Sequence, residues 1–193
     1  LLFLLGALLQ ARIADLFFTD AEPVLVIEEP ETHLHPMMLA TVWRLIEAID
    51  RQKIVSTNSG DLLEYVPLQA LRRLERKATA LEVWRVPNEI FLPDEMRKVM
   101  YHVRARRGAA FFARCWLLVE GETEYWLLPE LARLMGYDFS LEGIACVEFA
   151  QCGVAPIIKL ATVLGIEWHL LVDGDTAGRG YAATAASFIG RAH

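Results

Sequence analysis

Two apolar segments of the sequence end in carboxylates. Glu120 follows the apolar residues 115–119, and Asp173 and Asp175 follow the apolar residues 170–172. The carboxyl ends of parallel strands are where open α/β sheets place their ligand sites, so these acids converge if the two strands are neighbours. Carboxylate oxygens without Cys or His suit a hard cation such as Mg²⁺ or Mn²⁺ rather than zinc. The pattern therefore predicts a divalent-metal site for phosphoryl chemistry, with Glu124, on the first turn of the following helix, as a further ligand.

Simpler interpretations of the same acids stay open. Asp-Gly is a common turn dipeptide, so Asp173 and Asp175 could be turn or helix-cap residues. Glu124 could lie on a solvated helix face. The pairing of two strand ends favours the metal site. A haloacid-dehalogenase nucleophile motif is disfavoured because that motif places Thr two residues after its second Asp, whereas Thr176 follows Asp175 directly.

A second pair of acids, Glu28 and Glu29, follows the apolar residues 24–27. At the end of a buried strand, the first acid can hold the hydration shell of Mg²⁺ and the second can orient an attacking water near a γ-phosphate. Asn58, after the next apolar strand, could sense that phosphate or could simply form a turn. The sequence contains no G-x-x-x-x-G-K-[ST] phosphate cradle, so ATP binding by this segment alone is not expected.

Composition narrows the class of protein. The chain has 193 residues, of which 54% are apolar, so it can bury a core and is not disordered. Its net charge of −6 argues against a protein that coats nucleic acid over its whole surface. The basic run at residues 97–114 is either a solvated helix face or part of a DNA track. The residues considered for DNA contact are Arg104, Arg106, Arg107, Lys159 and Arg179.

The cysteines, histidines and N-terminal residues give weaker indications. Three cysteines without paired spacing indicate reduced thiols in a cytosolic protein. His33 and His35 do not make a metal site without a third ligand. Residues 1–9 are too short for a membrane span and lack the features of a signal peptide. The spacing of the apolar residues from Leu1 to Phe17 predicts a buried helix instead. The sequence has no initiating Met, and we expect it to be part of a longer protein.

Hydrophobic periodicity predicts an α/β protein. In the first half it predicts a helix at 1–18, strands at 24–27 and 53–57, helices at 36–50 and 62–65, a hairpin of 71–76 with 80–86, and a helix at 94–107. In the second half, strands at 115–119, 144–149 and 168–172 alternate with helices at 122–135, 154–164 and 176–189. Such alternation predicts a parallel sheet with right-handed crossovers. Gly108 marks the expected boundary between domains at residues 1–108 and 109–193.

Residues 28–36, Glu-Glu-Pro-Glu-Thr-His-Leu-His-Pro, resemble the Walker B and D-loop region of ABC-type ATPases of the SMC and Rad50 kind. The resemblance implies that Glu28 serves the metal, that Glu29 is the hydrolytic base, and that Asn58 stands in place of the switch His. ATP would then bind with the help of an N-terminal part that this sequence lacks. The second half resembles the Toprim domain, whose glutamate and Asp-x-Asp pattern is matched by Glu120, Asp173 and Asp175.

The order, the C-terminal part of an ABC-type ATPase sheet and then a Toprim parallel-sheet domain, resembles the OLD (overcoming lysogenization defect) family of ATP-dependent endonucleases. The resemblance implies a cytoplasmic, homodimeric DNA endonuclease with two Mg²⁺ or Mn²⁺ ions, governed by ATP. The resemblance also implies a basic catalytic residue further toward the C-terminus, beyond His193, and whether Lys159 or Arg179 can take its place stays open. The alternative is an ATP-gated DNA clamp without nuclease activity.

Overall fold

The computed structural model of the chain describes Gly6 and residues 24–32, 34–106 and 108–189, with side chains from 103 to 106 excepted. The helix expected at residues 1–18 and the residues His33 and Arg107 lie outside this part. The chain forms two compact units, Leu1–Tyr65 and Val66–His193. Within the described ranges, no helix combines the length and the hydropathy needed to cross a bilayer.

The first unit contains a parallel pair of short strands. Strand β1, Leu25–Glu28, pairs with β2, Lys53–Ser56, in a register that sets Glu28 opposite Ser56. Helix α1, Leu39–Glu47, connects them and buries Leu39, Val42 and Ile46, a spacing that lines one face of a helix. A 3₁₀ turn, Pro36–Met38, precedes α1, and helix α2 spans Gly60–Leu63.

The helix expected over residues 36–50 was predicted too long. It opens with the 3₁₀ turn, and the α-helix ends at Glu47. The ammonium of Lys53 donates to the carbonyl oxygens of Glu47, at 3.0 Å, and Ile49, at 2.7 Å. Because Lys53 donates to these carbonyl oxygens, the helix can end at Glu47 without leaving them unpaired.

The second unit begins with a hairpin and a helix. Strands β3, Arg72–Arg76, and β4, Leu81–Arg85, are antiparallel and confirm the predicted alternation. The N–H of Lys77 donates to the carbonyl of Ala80 and closes the turn. Helix α3 spans Pro93–Arg106, with Pro at the first position and two acids in the first turn, as favoured for helix starts. A 3₁₀ segment, Gly108–Phe112, leads into the next strand.

A parallel three-stranded sheet forms the rest of the second unit. Its order is β6, Ile144–Glu148, then β5, Cys115–Val119, then β7, Glu167–Leu171. Helices α4, Glu122–Leu134, α5, Val154–Val163, and α6, Thr176–Ile189, follow the three strands in turn. Helix α5 buries most of its residues, and the central strand buries Trp116, Leu118 and Val119. The parallel α/β fold predicted for this half is confirmed.

Candidate active site

The carboxyl ends of the three parallel strands meet at one edge of the sheet. The register places Val119, the last residue of β5, opposite both Glu148 of β6 and Leu171 of β7. Glu120 follows β5 directly, and Asp173 lies two residues beyond the end of β7. Strands β5 and β7 are neighbours, as the predicted convergence of their acids requires. The backbone of both acidic segments therefore reaches the same edge.

Glu124 folds back on the start of helix α4. Its Oε2 accepts the backbone N–H of Gly121 at 3.2 Å, which closes a capping arrangement at the N-terminus of α4. The carboxylate is thereby held beside the loop that carries Glu120. One of its oxygens is used by the cap, so Glu124 combines a structural role with its position near the sheet edge.

The Asp173–Asp175 loop is shaped by the first turn of helix α6. Oδ1 of Asp175 accepts the backbone N–H of Gly178 at 2.7 Å, so Asp175 caps this helix. A Cβ on Gly178 would collide with the carbonyl oxygen of Asp173. Arg179 donates through Nη1 to the carbonyl of Gly174 at 2.6 Å. Two hydrogen bonds and the close approach of Gly178 hold the loop against the helix. The two aspartates of the loop are exposed.

The side chains of these acids do not form a closed coordination shell. Among the described residues, no three His, Cys, Asp or Glu side chains form a group that could hold a metal ion. The donor set itself fits a hard divalent cation, because Glu120, Glu124, Asp173 and Asp175 offer only carboxylate oxygens. The structure thus brings the two segments to one edge, while the carboxylates of Glu124 and Asp175 make separate local contacts with backbone N–H groups.

A buried acid at the same edge was missed by the sequence analysis. Glu148 is the last residue of β6 and only 4% exposed, which is rare for a glutamate. The signal was an acid closing an otherwise apolar strand, the same pattern that revealed Glu120 and Asp173. Burial raises the pKa of the nearby Cys152 thiol to about 12, and the Glu148 carboxylate adds to this shift. The thiol therefore stays protonated and unreactive at neutral pH.

A second cluster joins the ends of β1 and β2 in the first unit. Nδ2 of Asn58 donates to Oε1 of Glu29 at 3.2 Å, and the backbone N–H of Asn58 donates to Oε1 of Glu31 at 3.3 Å. The hydroxyl of Thr57 donates to the same Glu31 oxygen. The structure thus brings together Glu29 and Asn58, which the sequence had singled out separately. Glu28 is exposed at the end of β1, and no described contact joins it to this cluster.

Two features of this cluster are unusual. Glu29 has a φ of 43°, in the left-handed region that non-glycine residues seldom occupy. Oε2 of Glu31 is buried and has no hydrogen-bond partner among the described residues. The contacts of Glu31 with Thr57 and Asn58 were not predicted from the sequence, because they join residues far apart in the chain.

Comparison with known proteins divides the chain into two matches. Residues 1–110 match the family described as a protein of unknown function, DUF2813. The chain belongs to the DUF2813 family. Residues 111–175 match the TOPRIM domain described as overcoming lysogenization defect protein-like. The DUF2813 chain is 47% identical over 189 residues to the uncharacterized protein YbjD of Escherichia coli (strain K12), covering 98% of this chain and 34% of YbjD. It spans about a third of the length of that curated relative.

The basic residues considered for DNA contact are partly engaged within this DUF2813 chain. The ammonium of Lys159 donates to both carboxylate oxygens of Glu95, each at 3.0 Å. Arg179 turns back on its own loop, as described above. Arg104 and Arg106 lie on helix α3 with side chains outside the described part. Their contact with DNA therefore stays a prediction.

Proposed function

We propose that the protein is a divalent-metal-dependent DNA endonuclease whose hydrolytic site lies at the carboxyl edge of the parallel sheet. The observation that carries the proposal is the β5–β7 pairing, which brings Glu120 and the Asp173–Asp175 loop to one edge within a segment that matches an OLD-like TOPRIM domain. Glu120 and Asp173 would be the principal metal ligands, with Glu124 and Asp175 contributing their remaining oxygens.

The residues of this chain would hold and orient the reacting groups. A bound Mg²⁺ or Mn²⁺ pair would lower the pKa of a water and neutralise charge on the leaving 3′ oxygen. The exposed position of Asp173 and Asp175 leaves the edge open to a phosphodiester. Arg179 would hold the loop through Gly174, so that it presents the aspartates in a defined geometry. Clustered carboxylates repel one another, and cation binding would relieve this repulsion.

We also propose that ATP governs cleavage through the Glu29–Asn58 cluster in the longer protein. The hydrogen bond between Asn58 and Glu29 supports this, because it joins the proposed hydrolytic base to the proposed phosphate sensor. Backbone strain of the kind seen at Glu29 concentrates at functional sites. Glu28 would serve the ATP-bound metal, and a second copy of the protein would complete the nucleotide site.

The test is nicking of supercoiled plasmid by the whole protein with Mg²⁺ or Mn²⁺, with and without ATP. Metal-dependent nicking should disappear in Asp173→Ala and in Glu120→Gln. The matched control is Glu130→Gln, which removes an exposed acid of helix α4 that pairs with Arg133. Nicking that persists in Asp173→Ala, or that is lost equally in Glu130→Gln, would contradict the proposal.

The second candidate is an ATP-gated DNA clamp without nuclease activity. It is favoured by the helix-capping roles of Glu124 and Asp175, which account for these two acids without a metal. A clamp should retain DNA only with ATP and leave its strands intact. Asp173→Ala should then have no effect on DNA retention.

A further inference from the structure

The β3–β4 hairpin has two chemically different faces. Its strands alternate between exposed and half-buried residues, and the antiparallel register aligns like with like. The inner face carries Arg73, Glu75, Glu82 and Trp84. The outer, exposed face, here called the arginine face, consists of Arg72, Leu74, Arg76, Leu81, Val83 and Arg85.

The inner face anchors the hairpin to the segment that matches the TOPRIM domain. Nη1 of Arg73 donates to the carbonyls of Leu164, at 3.0 Å, and Gly165, at 3.2 Å. Its Nη2 and Nε donate to the carbonyls of Ala113, at 3.2 Å, and Phe111, at 3.3 Å. One rigid guanidinium thus satisfies four backbone acceptors. Because these contacts hold the inner face, the arginine face is presented outward on a fixed support.

The arginine face concentrates positive charge without balancing acids. Arg72 and Arg85 are directly opposite each other across the two strands, an arrangement that like charges destabilise. The hairpin glutamates, Glu75 and Glu82, lie on the inner face. In the described part of the chain, no acidic side chain forms an ion pair with Arg72, Arg76 or Arg85. This local excess of positive charge, in a chain whose net charge is −6, favours the binding of an anionic partner.

Apolar side chains share the arginine face with the three arginines. Leu74 is 61% exposed, Leu81 is 59% exposed and Val83 is 58% exposed. Nη1 of Arg72 donates to the carbonyls of Gln69 and Leu71, which positions its guanidinium at the end of the face. The combination of guanidinium forks and an apolar strip suits a ligand that alternates phosphates with apolar sugar and base surfaces.

We propose that the arginine face binds the phosphodiester backbone of DNA, outside the carboxylate edge. This rests on the proposed function in taking DNA as the ligand, and adds where DNA is held. Arg72 and Arg76 are four residues apart on one strand, or about 13 Å. Along one strand of a DNA duplex a phosphate recurs every ~3.4 Å, so phosphates can lie near both arginines whatever the base sequence. An acidic protein segment would need a matched arrangement of charges, and is the other outcome of the test.

The experiment measures binding of fluorescent duplex and single-stranded DNA to the whole protein by anisotropy, in EDTA and over a salt series. The triple variant Arg72→Ala, Arg76→Ala, Arg85→Ala should raise Kd at least tenfold and lower the salt slope by about two to three. Replacing the same three arginines by Lys should restore most of the affinity. The matched control is Arg133→Ala, an exposed arginine of helix α4, which should change Kd less than twofold.

An unchanged Kd in the triple variant would overturn the proposal. So would a change in sedimentation without a change in DNA affinity, because the arginine face would then be a protein interface. The single variant Arg85→Glu gives a second measurement should the triple variant unfold, and unchanged DNA binding by it would equally count against the proposal. The metal-free assay separates this inference from the nuclease proposal, since Asp173→Ala should bind DNA normally. Wild-type protein that binds through the arginine face but never nicks would overturn only the nuclease.

Discussion

Gly178 shows how one residue without a side chain shapes the acidic loop. It lies in the first turn of helix α6, where its N–H donates to Asp175 and its Cα passes close to the carbonyl of Asp173. Any larger residue must push the loop away or unwind the turn. The position of the two aspartates therefore depends on a residue that offers no ligand atom.

Gly178→Ala should destabilise the protein by about 1–3 kcal/mol, because the added methyl group overpacks the contact with Asp173. Gly180→Ala, in the same helix, is the matched control, since a Cβ there meets nothing within 4 Å. The control should stabilise the protein by about 0.5–1 kcal/mol, as alanine usually does in a helix. Chemical denaturation measures both. The same sign of change for the two variants would show that the collision with Asp173 is not felt.

Glu29 provides a second test at the scale of a residue, because its φ of 43° favours glycine. Glu29→Gly and Glu29→Ala both remove the hydrogen bond from Asn58, but only glycine removes the strain. The glycine variant should therefore be more stable than the alanine variant by about 1 kcal/mol. Denaturant unfolding of the two variants gives the difference directly.

Glu28 is the control for this comparison, since it lies in the extended strand β1. There the order should reverse, because glycine weakens a strand. If alanine were the more stable replacement at both positions, the backbone at Glu29 would not be strained.

At the scale of elements, the sequence predicted what local patterns determine. Strand β5 and helix α6 have the predicted bounds, because an apolar run and capping residues define them locally. The end of helix α1 was misplaced, because it depends on Lys53 from another segment. The burial of Glu148 and the hydrogen bonds of Glu31 were missed for the same reason, because both depend on residues that are distant in the sequence.

Helices α3 and α5 are joined by the ion pair between Glu95 and Lys159, whose side chains are 23% and 29% exposed. Burial alone would raise the pKa of Glu95, but Lys159 and the amide of Leu92 outweigh it and hold this pKa below its usual value. The ionised form is thus favoured in the folded state. The stabilisation is fully present above the unfolded-state pKa and is lost as the pH falls through the lower folded-state pKa.

Glu95→Gln should accordingly lower stability by about 1 kcal/mol at pH 7, and the difference from wild type should vanish in acid. Thermal unfolding from pH 7 down to below the usual glutamate pKa measures this. Asp94→Asn is the control, because Asp94 pairs with Arg97 and Lys98 at the exposed surface and should matter less. A difference that persisted at low pH would mean that packing, rather than charge, joins the two helices.

The hairpin anchor gives a prediction for another pair of elements. Arg73→Lys should destabilise the protein by about 1–3 kcal/mol, because an ammonium cannot satisfy all four carbonyls that the guanidinium reaches. Arg72→Lys, at the exposed neighbouring position, should leave stability nearly unchanged. Thermal unfolding distinguishes the two. Equal stability of both variants would mean that Arg73 does not hold the hairpin.

At the scale of the whole molecule, the domain boundary predicted from the sequence differs from the boundary between the two compact units. The boundary predicted between residues 108 and 109 lies near the division between the two family matches, whereas the compact units divide after Tyr65. Gly108 is a local signal that can be seen in the sequence. The contacts of Arg73 with residues some 40 and 90 positions away cannot be seen there, because they form only when the chain folds. The domain boundary of the sequence analysis stays a prediction.

A pair of fragments tests the spatial division. A fragment that starts at Val66 should unfold cooperatively, because it keeps the hairpin and helix α3 with the parallel sheet. One that starts at residue 109 loses the Arg73 anchor and the Glu95–Lys159 pair, and should be less stable. Denaturant midpoints compare them. Equal midpoints would show that residues 66–108 add nothing to the sheet.

The anchor also bears on the alignment of the two acidic segments. Arg73 binds the carbonyl of Ala113, two residues before β5, and that of Gly165, two residues before β7. Both strands have five residues and the same starting level. Strands of equal length that start level also end level, whereas a slip of one residue would turn every side chain to the other face. Arg73 therefore supports the alignment of Glu120 with the Asp173 loop, although it binds at the opposite end of the sheet and contacts neither segment.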